Sequence, residues 1–322
     1  MKRIHYISVI RVLAMIAVVF YHCLCGYSDI WGGKFSWDIV PLWNKMAHIL
    51  ALFHMPVFIM ISGFLFSYIQ KNGGYASFTT YILKKIKRVL VPYIIWGLFV
   101  CFLMKDDVSN LLQGYSHLWF LMFIFEAYIS YYFIDRLITR YHLEKVFFIF
   151  TLMFFCASNY IATHYCNNLL FTMSQYVLYM PYYVIGAYLY KNKGKIKLPS
   201  LILNSSVILA FIVFIYSRYW PIKSYVTNIS CLIIIIYLLY ICSRFTESKF
   251  VTLTMSFDKY CIGIYLIHHI IIQEMNMSEL GHNLMSHYMI YPLLQFVFVL
   301  FFSVIITKIL LRNKIGKLII GS

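Results

Sequence analysis

The chain has 322 residues, a mean hydropathy of +0.78 and 62% hydrophobic residues, but only 12% of its residues are charged. Soluble domains carry about 25% charged residues, so this chain lacks the charge that a water-facing surface needs. The composition therefore excludes a soluble globular domain and a disordered charged tail, and it predicts that lipid covers most of the protein surface.

Apolar runs of about 20 residues recur from one end of the chain to the other, and a helix of this length crosses a bilayer. They predict an all-α polytopic membrane protein, a bundle of about ten transmembrane helices in a single domain over residues 1–322; counts of nine and eleven stay open. The runs lie near residues 7–25, 46–69, 86–104, 117–134, 146–163, 172–190, 200–217, 225–243, 258–275 and 288–311.

The formal net charge of +16 raises the alternative of a nucleic-acid-binding protein. The basic residues, however, sit between the apolar runs. If the N-terminus faces the cytoplasm, 21 of the 27 Lys and Arg residues fall on the inner side and five on the outer side, with Arg11 left inside the membrane. The positive-inside rule then places both termini in the cytoplasm, and the charge indicates topology rather than nucleic-acid binding.

The eight cysteines fall mostly inside apolar runs without any paired C-x-x-C spacing, so we interpret them as small hydrophobic residues. The sequence contains no P-loop, no Gly-rich dinucleotide motif and no H-E-x-x-H helix. We therefore expect neither a bound metal nor a permanently bound cofactor.

The first apolar run, ISVIRVLAMIAVVFYHC, contains two ionisable residues, Arg11 and His22. Eleven steps of 100° are three turns plus about 20°, so the two side chains share one helix face about 16 Å apart. In one interpretation Arg11 reaches the inner interface and His22 caps the outer end of the helix. In the functional interpretation Arg11 lies beside a phosphate-bearing ligand, and His22 is a general base for a hydroxyl group.

The second run contains Pro56 and the pair Ser62-Gly63. Proline removes a helix hydrogen bond and glycine removes bulk, so a kinked helix with a close neighbour is predicted. Gly63 would then mark either a substrate path or a plain small-residue packing contact.

The third run begins with a basic cluster in YILKKIKRVLVPYIIW. Lys85 and Arg88 are three residues apart on one helix face, which suits contact with phosphates at the cytoplasmic surface. Topology alone would also produce such a cluster.

Glu126, in HLWFLMFIFEAYISYYF, is the one carboxylate well inside a predicted run, so it should be paired, protonated or in contact with water. His117 stands at the outer mouth of this run. Trp119 shares the face of Glu126 and could equally be an interface anchor. In the ninth run, His268 and His269 point about 100° apart, so we expect at most one of them to face the same cavity as His22.

Five of these features occur in an order that resembles the membrane acyltransferase-3 family. They are the Arg11–His22 spacing, FHMPVFIMISGFLF, the basic run leading into VPYIIW, HLWFL, and IGIYLIHH, and they cover the chain from residue 4 to about residue 310. Members are integral-membrane O-acyltransferases that modify cell-surface and secreted glycans. The resemblance implies a multi-pass protein of the bacterial inner membrane. It would move an acyl group, usually acetyl, from cytoplasmic acyl-CoA to a hydroxyl of a polysaccharide or lipid-linked sugar.

The resemblance also implies roles for individual residues. The R-x10-H motif of the family falls on Arg11 and His22, its R-x-x-R motif on Lys85 and Arg88, and its S-G-F-L segment on Ser62 and Gly63. His22 is expected to be the catalytic base, with Glu126 orienting it or stabilising charge. The residues expected to bind the co-substrate acyl-CoA are Arg11, Lys85 and Arg88, and those expected to line the acceptor mouth are His117, Trp119 and His268.

The chain departs from the family pattern at two positions. Many members carry Asp three residues before the first Arg, where this chain has Ser8, so an acid partner for Arg11 must come from elsewhere. Lys85 replaces the first Arg of R-x-x-R, which removes bidentate recognition of a phosphate. We expect no hydrolase-like domain after residue 317, because the resemblance is to the short, membrane-only members.

Two other function classes stay open at this point. Polar groups at mid-membrane and a kinked helix would also suit a transporter or flippase for a glycan or its lipid-linked precursor. In a membrane sensor or structural component the same groups would be packing residues. The acceptor sugar, the choice between acetyl and succinyl donors and self-association into a homo-oligomer are likewise left open.

Overall fold

The computed structural model describes residues 4–31, 38–74, 77–166, 169–193, 200–216, 223–244 and 248–322. These residues form helices and turns without a β-strand among them, which confirms the all-α class. The helices are α1 (His5–Cys25), α2 (Pro41–Lys71), α3 (Phe78–Lys85), α4 (Val91–Met104), α5 (Trp119–Arg140), α6 (Glu144–Tyr165), α7 (Met173–Lys191), α8 (Ser200–Tyr216), α9 (Lys223–Cys242), α10 (Lys249–Asp258), α11 (Cys261–Met277), α12 (Glu279–Leu284), α13 (Tyr291–Leu310) and α14 (Lys314–Ile320). Six cationic residues used for the predicted topology lie outside the described ranges: Lys2, Arg3, Lys34, Lys195, Lys197 and Arg218.

Each of the ten predicted runs falls on a helix or a pair of consecutive helices. Within the described residues, six helical stretches are long and apolar enough to cross a membrane, and a seventh is added if α10 and α11, bent by 68° at their junction, form one span. The chain is therefore a multi-pass membrane protein, but the predicted count of about ten spans is not confirmed. Three helices account for the difference between seven spans and ten. Helix α7 carries tyrosines along its length, and the apolar stretches of α8 and α9 are too short to count as spans.

The described chain divides into two compact units. The terminal unit contains Ile4–Met55 and Phe245–Ser322, and the middle unit contains Pro56–Arg244. Helix α2 thus contributes its first part to the terminal unit and the remainder to the middle unit. The prediction of one domain over residues 1–322 stays a prediction.

In the terminal unit, α1 packs against α10, α11 and α13. A buried cluster of Leu24, Tyr27, Trp43, Ala47 and Tyr291 joins the end of α1 to the beginnings of α2 and α13. The indole nitrogen of Trp43 donates a hydrogen bond to the backbone carbonyl of Tyr288 at 2.6 Å. These contacts hold α1 between the other helices of its own unit.

In the middle unit, α2 and α7 cross closely through two glycines. A Cβ atom on Gly63 would lie 1.9 Å from the carbonyl oxygen of Tyr183, and one on Gly186 would lie 2.0 Å from that of Met60. The contact is reciprocal, because each glycine faces the backbone of the other helix. The predicted close neighbour at Gly63 is confirmed.

We expect Gly63→Ala to destabilise the protein, because the added methyl group would overlap a backbone atom of α7. Overpacking of this kind costs on the order of 1–3 kcal/mol, which should lower the melting temperature of the detergent-solubilised protein. Gly97→Ala is the matched control, since its added carbon meets only a methyl group at the end of the Leu111 side chain. An unchanged melting temperature for Gly63→Ala would show that the helices do not cross this closely.

Candidate active site

Helix α1 is tied to the α10–α11 pair at two points. The Arg11 Nη1 atom donates to Oδ1 of Asp258 at 2.8 Å, and the His22 Nδ1 atom lies 3.1 Å from Nε2 of His268. Arg11 and His22 are eleven positions apart, and their partners are ten positions apart. The two stretches therefore run side by side in the same direction, and the prediction that Arg11 and His22 share one helix face is confirmed.

The Arg11 contact is a buried ion pair. The side chain of Asp258, the last residue of α10, is only 1% exposed, and its second oxygen accepts a hydrogen bond from the Ser8 hydroxyl at 2.9 Å. Both carboxylate oxygens are therefore bonded, as a carboxylate at this depth requires. The acid partner of Arg11 does come from elsewhere in the chain, as predicted. Sequence reasoning did not single out Asp258, because it stands at the edge of an apolar run beside Lys259.

The His22 contact fixes the proton positions of two imidazole rings. The Nδ1 atom of His268 lies 2.9 Å from the carbonyl oxygen of Ile264, which can only accept, so Nδ1 carries the proton and Nε2 of the neutral ring has a lone pair. The Nδ1 atom of His22 faces that Nε2 and, at 3.0 Å, the carbonyl oxygen of Val18. Since both neighbours accept, neutral His22 carries its proton on Nδ1. Its Nε2 atom then holds the lone pair that a general base uses.

Other rings surround His22. The ring centroids of His268 and His269 lie 5.0 and 5.1 Å from that of His22, and Trp31 lies 6.3 Å away. Both rings lie beside His22, so the prediction that at most one of the adjacent histidines would face the same cavity as His22 is wrong. The ring centroid of Tyr21 lies 4.8 Å from that of His22 and 4.6 Å from that of His54.

Sequence reasoning gave no role to several members of this cluster, among them His54 and Trp31. His54 is a polar residue in the middle of the FHMPVF segment, and that position was an available signal. Trp31 ends a short 3₁₀ turn after α1, where no local pattern distinguishes it from other interface tryptophans.

The predicted phosphate-binding pair lies in the middle unit. Between α3 and α4 the chain passes through a π-helical turn, Ile86–Leu90, a rare conformation that often marks functional positions. The Lys85 ammonium lies 3.5 Å from the centre of the Tyr128 ring and 5.4 Å from that of Tyr81. Arg88 is exposed. The pair thus combines one ammonium held on aromatic faces with one accessible guanidinium.

Glu126 also lies in the middle unit, where its carboxylate is bonded to Thr172. One oxygen accepts from the Thr172 amide at 3.2 Å and the other from the Thr172 hydroxyl at 2.6 Å. Because Thr172 directly precedes α7, the carboxylate lies at the positive end of that helix. Trp119 stacks on Tyr179 of α7, with the ring centroids 5.4 Å apart, and His117 is buried just before α5.

The predicted site residues thus form two groups. His22, His268 and Arg11 lie in the terminal unit, whereas Lys85, Arg88, Glu126, His117 and Trp119 lie in the middle unit. Within the part of the chain that the structure describes, no group of three or more His, Cys, Asp or Glu side chains could hold a metal ion. All cysteines except Cys156 are buried, as small hydrophobic residues would be.

A family model described as an acyltransferase domain matches residues 4–312, a range that includes both groups of predicted site residues. The chain belongs to the acyltransferase-3 family. Its similar proteins include two named "Probable poly-beta-1,6-N-acetyl-D-glucosamine export protein", from Staphylococcus aureus strains MRSA252 and MW2. Each is 24% identical over 305 residues, covering 84% of this chain and 83% of the relative. No solved structure matches the chain.

Loss of Arg11 should destabilise this family member more than loss of the Asp258 charge. Arg11→Leu leaves a carboxylate that is 1% exposed without its cation, and breaking a buried pair in this way costs on the order of 3–5 kcal/mol. Asp258→Asn leaves a guanidinium that is 30% exposed and can stay hydrated.

Melting temperatures of both single variants and of the double variant Arg11→Leu/Asp258→Asn, measured in detergent, check this expectation. The double variant should recover part of the loss caused by Arg11→Leu, because no uncompensated charge remains. Strictly additive losses would show that the two side chains are not coupled.

Proposed function

We propose that this protein is an O-acyltransferase of a bacterial inner membrane, with both termini in the cytoplasm. It takes an acyl group, most simply acetyl, from cytoplasmic acyl-CoA and transfers it to a hydroxyl of a cell-surface or secreted polysaccharide or lipid-linked sugar. Family membership supports the acyltransferase chemistry. The observation that carries the proposal is the protonation pattern of His22, with Nδ1 bonded to two acceptors and Nε2 left as the basic nitrogen.

The reaction follows from this pattern. The acceptor hydroxyl oxygen attacks the thioester carbonyl carbon while Nε2 of His22 removes the hydroxyl proton. The tetrahedral intermediate collapses as its carbon–sulfur bond breaks, and the imidazolium returns the proton to the departing CoA thiolate. An ester and free CoA result, and His22 is restored to its starting state.

The cationic residues are assigned to the CoA phosphates. Arg11 uses Nη1 for Asp258, but its side chain is 30% exposed and carries further N–H donors that can bind a phosphate. Arg88 is exposed on the π-helical turn, and Lys85 supplies a second positive charge next to it. Each of the two units thus offers cationic groups of the kind that bind the phosphates of a CoA molecule.

His117 and Trp119 are assigned to the acceptor. Trp119 presents a ring already stacked on Tyr179, and a rigid aromatic face of this kind suits a sugar ring. For Glu126, the two bonds to Thr172 favour a positioning role within the middle unit. The carboxylate holds the start of α7, which carries Tyr179, and thereby orients Trp119.

Glycan export is a second candidate function, favoured by the printed name of the Staphylococcus aureus relatives. An exporter or flippase has no need of acyl-CoA. Purified protein in vesicles, supplied with acetyl-CoA and a soluble oligosaccharide acceptor, separates the two functions. Formation of acetylated oligosaccharide and free CoA supports the enzyme, and glycan movement without CoA release supports the exporter.

His22→Gln should lower acyl transfer by about 100-fold or more, because the variant has no base to remove the hydroxyl proton. Mass spectrometry of surface glycan from the variant strain should show loss of the acyl mass, and membrane fractions should still contain the protein. His48→Gln is the matched control, since His48 is exposed and pairs with Asp29 at 2.7 Å. Normal glycan acylation in the His22→Gln strain would remove the proposed base.

Arg88→Gln should raise the KM for acetyl-CoA by about tenfold with little change in kcat, as expected for the loss of one charge-assisted phosphate contact. Initial rates at varied acetyl-CoA concentration measure both constants. Arg140→Gln, at the exposed end of α5, removes the same charge from a position outside the proposed contact. An equal rise of KM in both variants would mean that general charge, and not Arg88 itself, attracts the donor.

A further inference from the structure

His268 is placed differently from a residue that lines a substrate path. It is fully buried, with 0% of its surface exposed, and both ring nitrogens are engaged. Its Nδ1 atom donates to the Ile264 carbonyl oxygen at 2.9 Å, and its Nε2 atom accepts from His22 Nδ1 at 3.1 Å. A ring in this state can contact an acceptor sugar or take its proton only by breaking one of these bonds.

We propose that His268 is a positioning residue that fixes the tautomer and the orientation of the His22 ring. The inference rests on the proposed function, in which His22 is the base. The chain of bonds runs from the Ile264 carbonyl through His268 to His22, so a backbone acceptor on α11, together with the Val18 carbonyl on α1, determines which nitrogen of His22 is protonated. The alternative neutral tautomer would place the proton on Nε2, the atom that has to accept one.

The Val18 carbonyl shares this role. Val18 lies four residues before His22 within α1, and its oxygen accepts both the backbone amide hydrogen bond of the helix and, on its second lone pair, the His22 ring, as the Ile264 oxygen does for His268. His268 is the acceptor that lies on another helix, so its lone pair also fixes the direction in which the His22 ring points. Its importance grows during catalysis, because the bond becomes charge-assisted once Nε2 has taken a proton and His22 is an imidazolium.

The Arg11–Asp258 ion pair helps to hold His268 beside His22. Asp258 ends α10 three residues before α11 begins and stands ten positions before His268, and Arg11 stands eleven positions before His22 on α1. The ion pair therefore sets the height at which α11 lies against α1. With that height fixed, the two imidazole rings meet.

Three substitutions of His268 test the inference through kcat. His268→Phe keeps the ring volume and removes the acceptor. His268→Asn has an amide that reaches only to about the position of Nδ1, so it keeps the Ile264 bond and loses the His22 bond. His268→Gln carries its amide oxygen to about the position of Nε2 and can still accept from His22.

We expect His268→Phe and His268→Asn to lower kcat on the order of 100-fold with the KM values for both substrates nearly unchanged, as for an enzyme whose base has the wrong tautomer. His268→Gln should recover at least about tenfold of that loss. His269→Phe is the matched control, because His269 is equally close to His22 but faces Gln273 through its Nε2 atom at 3.4 Å. We expect His269→Phe to lower kcat less than His268→Phe does.

Equal losses in the Gln, Asn and Phe variants, or losses confined to KM, would overturn the positioning role. Melting temperatures identify any variant that is merely unfolded, and the Gln–Asn comparison keeps the test valid if the Phe variant does not fold. The two proposals fail separately. Activity in His22→Gln removes the base itself, whereas an inactive His22→Gln together with a fully active His268→Phe removes only the inference about His268.

Discussion

The buried carboxylate of Asp258 is the interaction on which the candidate site depends. A charge at membrane depth must be paired, and this one is neutralised by Arg11 and hydrogen-bonded by Ser8, both on α1. Because Asp258 stands at the bend between α10 and α11, the pairing sets the register of α11 against α1. The meeting of His22 and His268 about three helical turns away follows from that register. The position of His22 near one end of α1 thus depends on the charge pairing of Arg11 nearer the other end.

Local sequence patterns predicted most of the helices and the shared face of Arg11 and His22, because both depend on hydrophobic periodicity and on 100° per residue. They could not predict the partners. Asp258 is 247 residues from Arg11, and His268 is 246 residues from His22, so only the folded chain brings them together. The error at His269 has a similar origin. Helix geometry gave the angle between His268 and His269, but it did not contain the position of the His22 ring, which lies on another helix.

The basic cluster shows a different limit of sequence reasoning. Spacing placed Lys85 and Arg88 on one face of a regular α-helix, whereas the chain forms a π-helical turn there, with Lys85 against Tyr128 and Arg88 exposed. The close approach at Gly63 was more predictable, because small residues in membrane helices are typical of helix contacts, whereas Gly186 on the other helix was not singled out. Glu126 was predicted as a carboxylate inside an apolar run, but its partner Thr172 belongs to a loop with no pattern of its own.

The tautomer of His22 separates the proposed enzyme from an exporter in physical terms, since a fixed basic nitrogen is a requirement of proton transfer and not of glycan movement. Nitrogen-15 solid-state NMR of the protein in lipid bilayers measures it most directly, with His22 assigned by comparison with His22→Gln. In the neutral ring of His22, the proposed network predicts a protonated Nδ1 bonded to Nε2 of His268 and an unprotonated Nε2. A neutral His22 protonated on Nε2 would contradict it, because the proposed base would then have no lone pair with which to accept the hydroxyl proton.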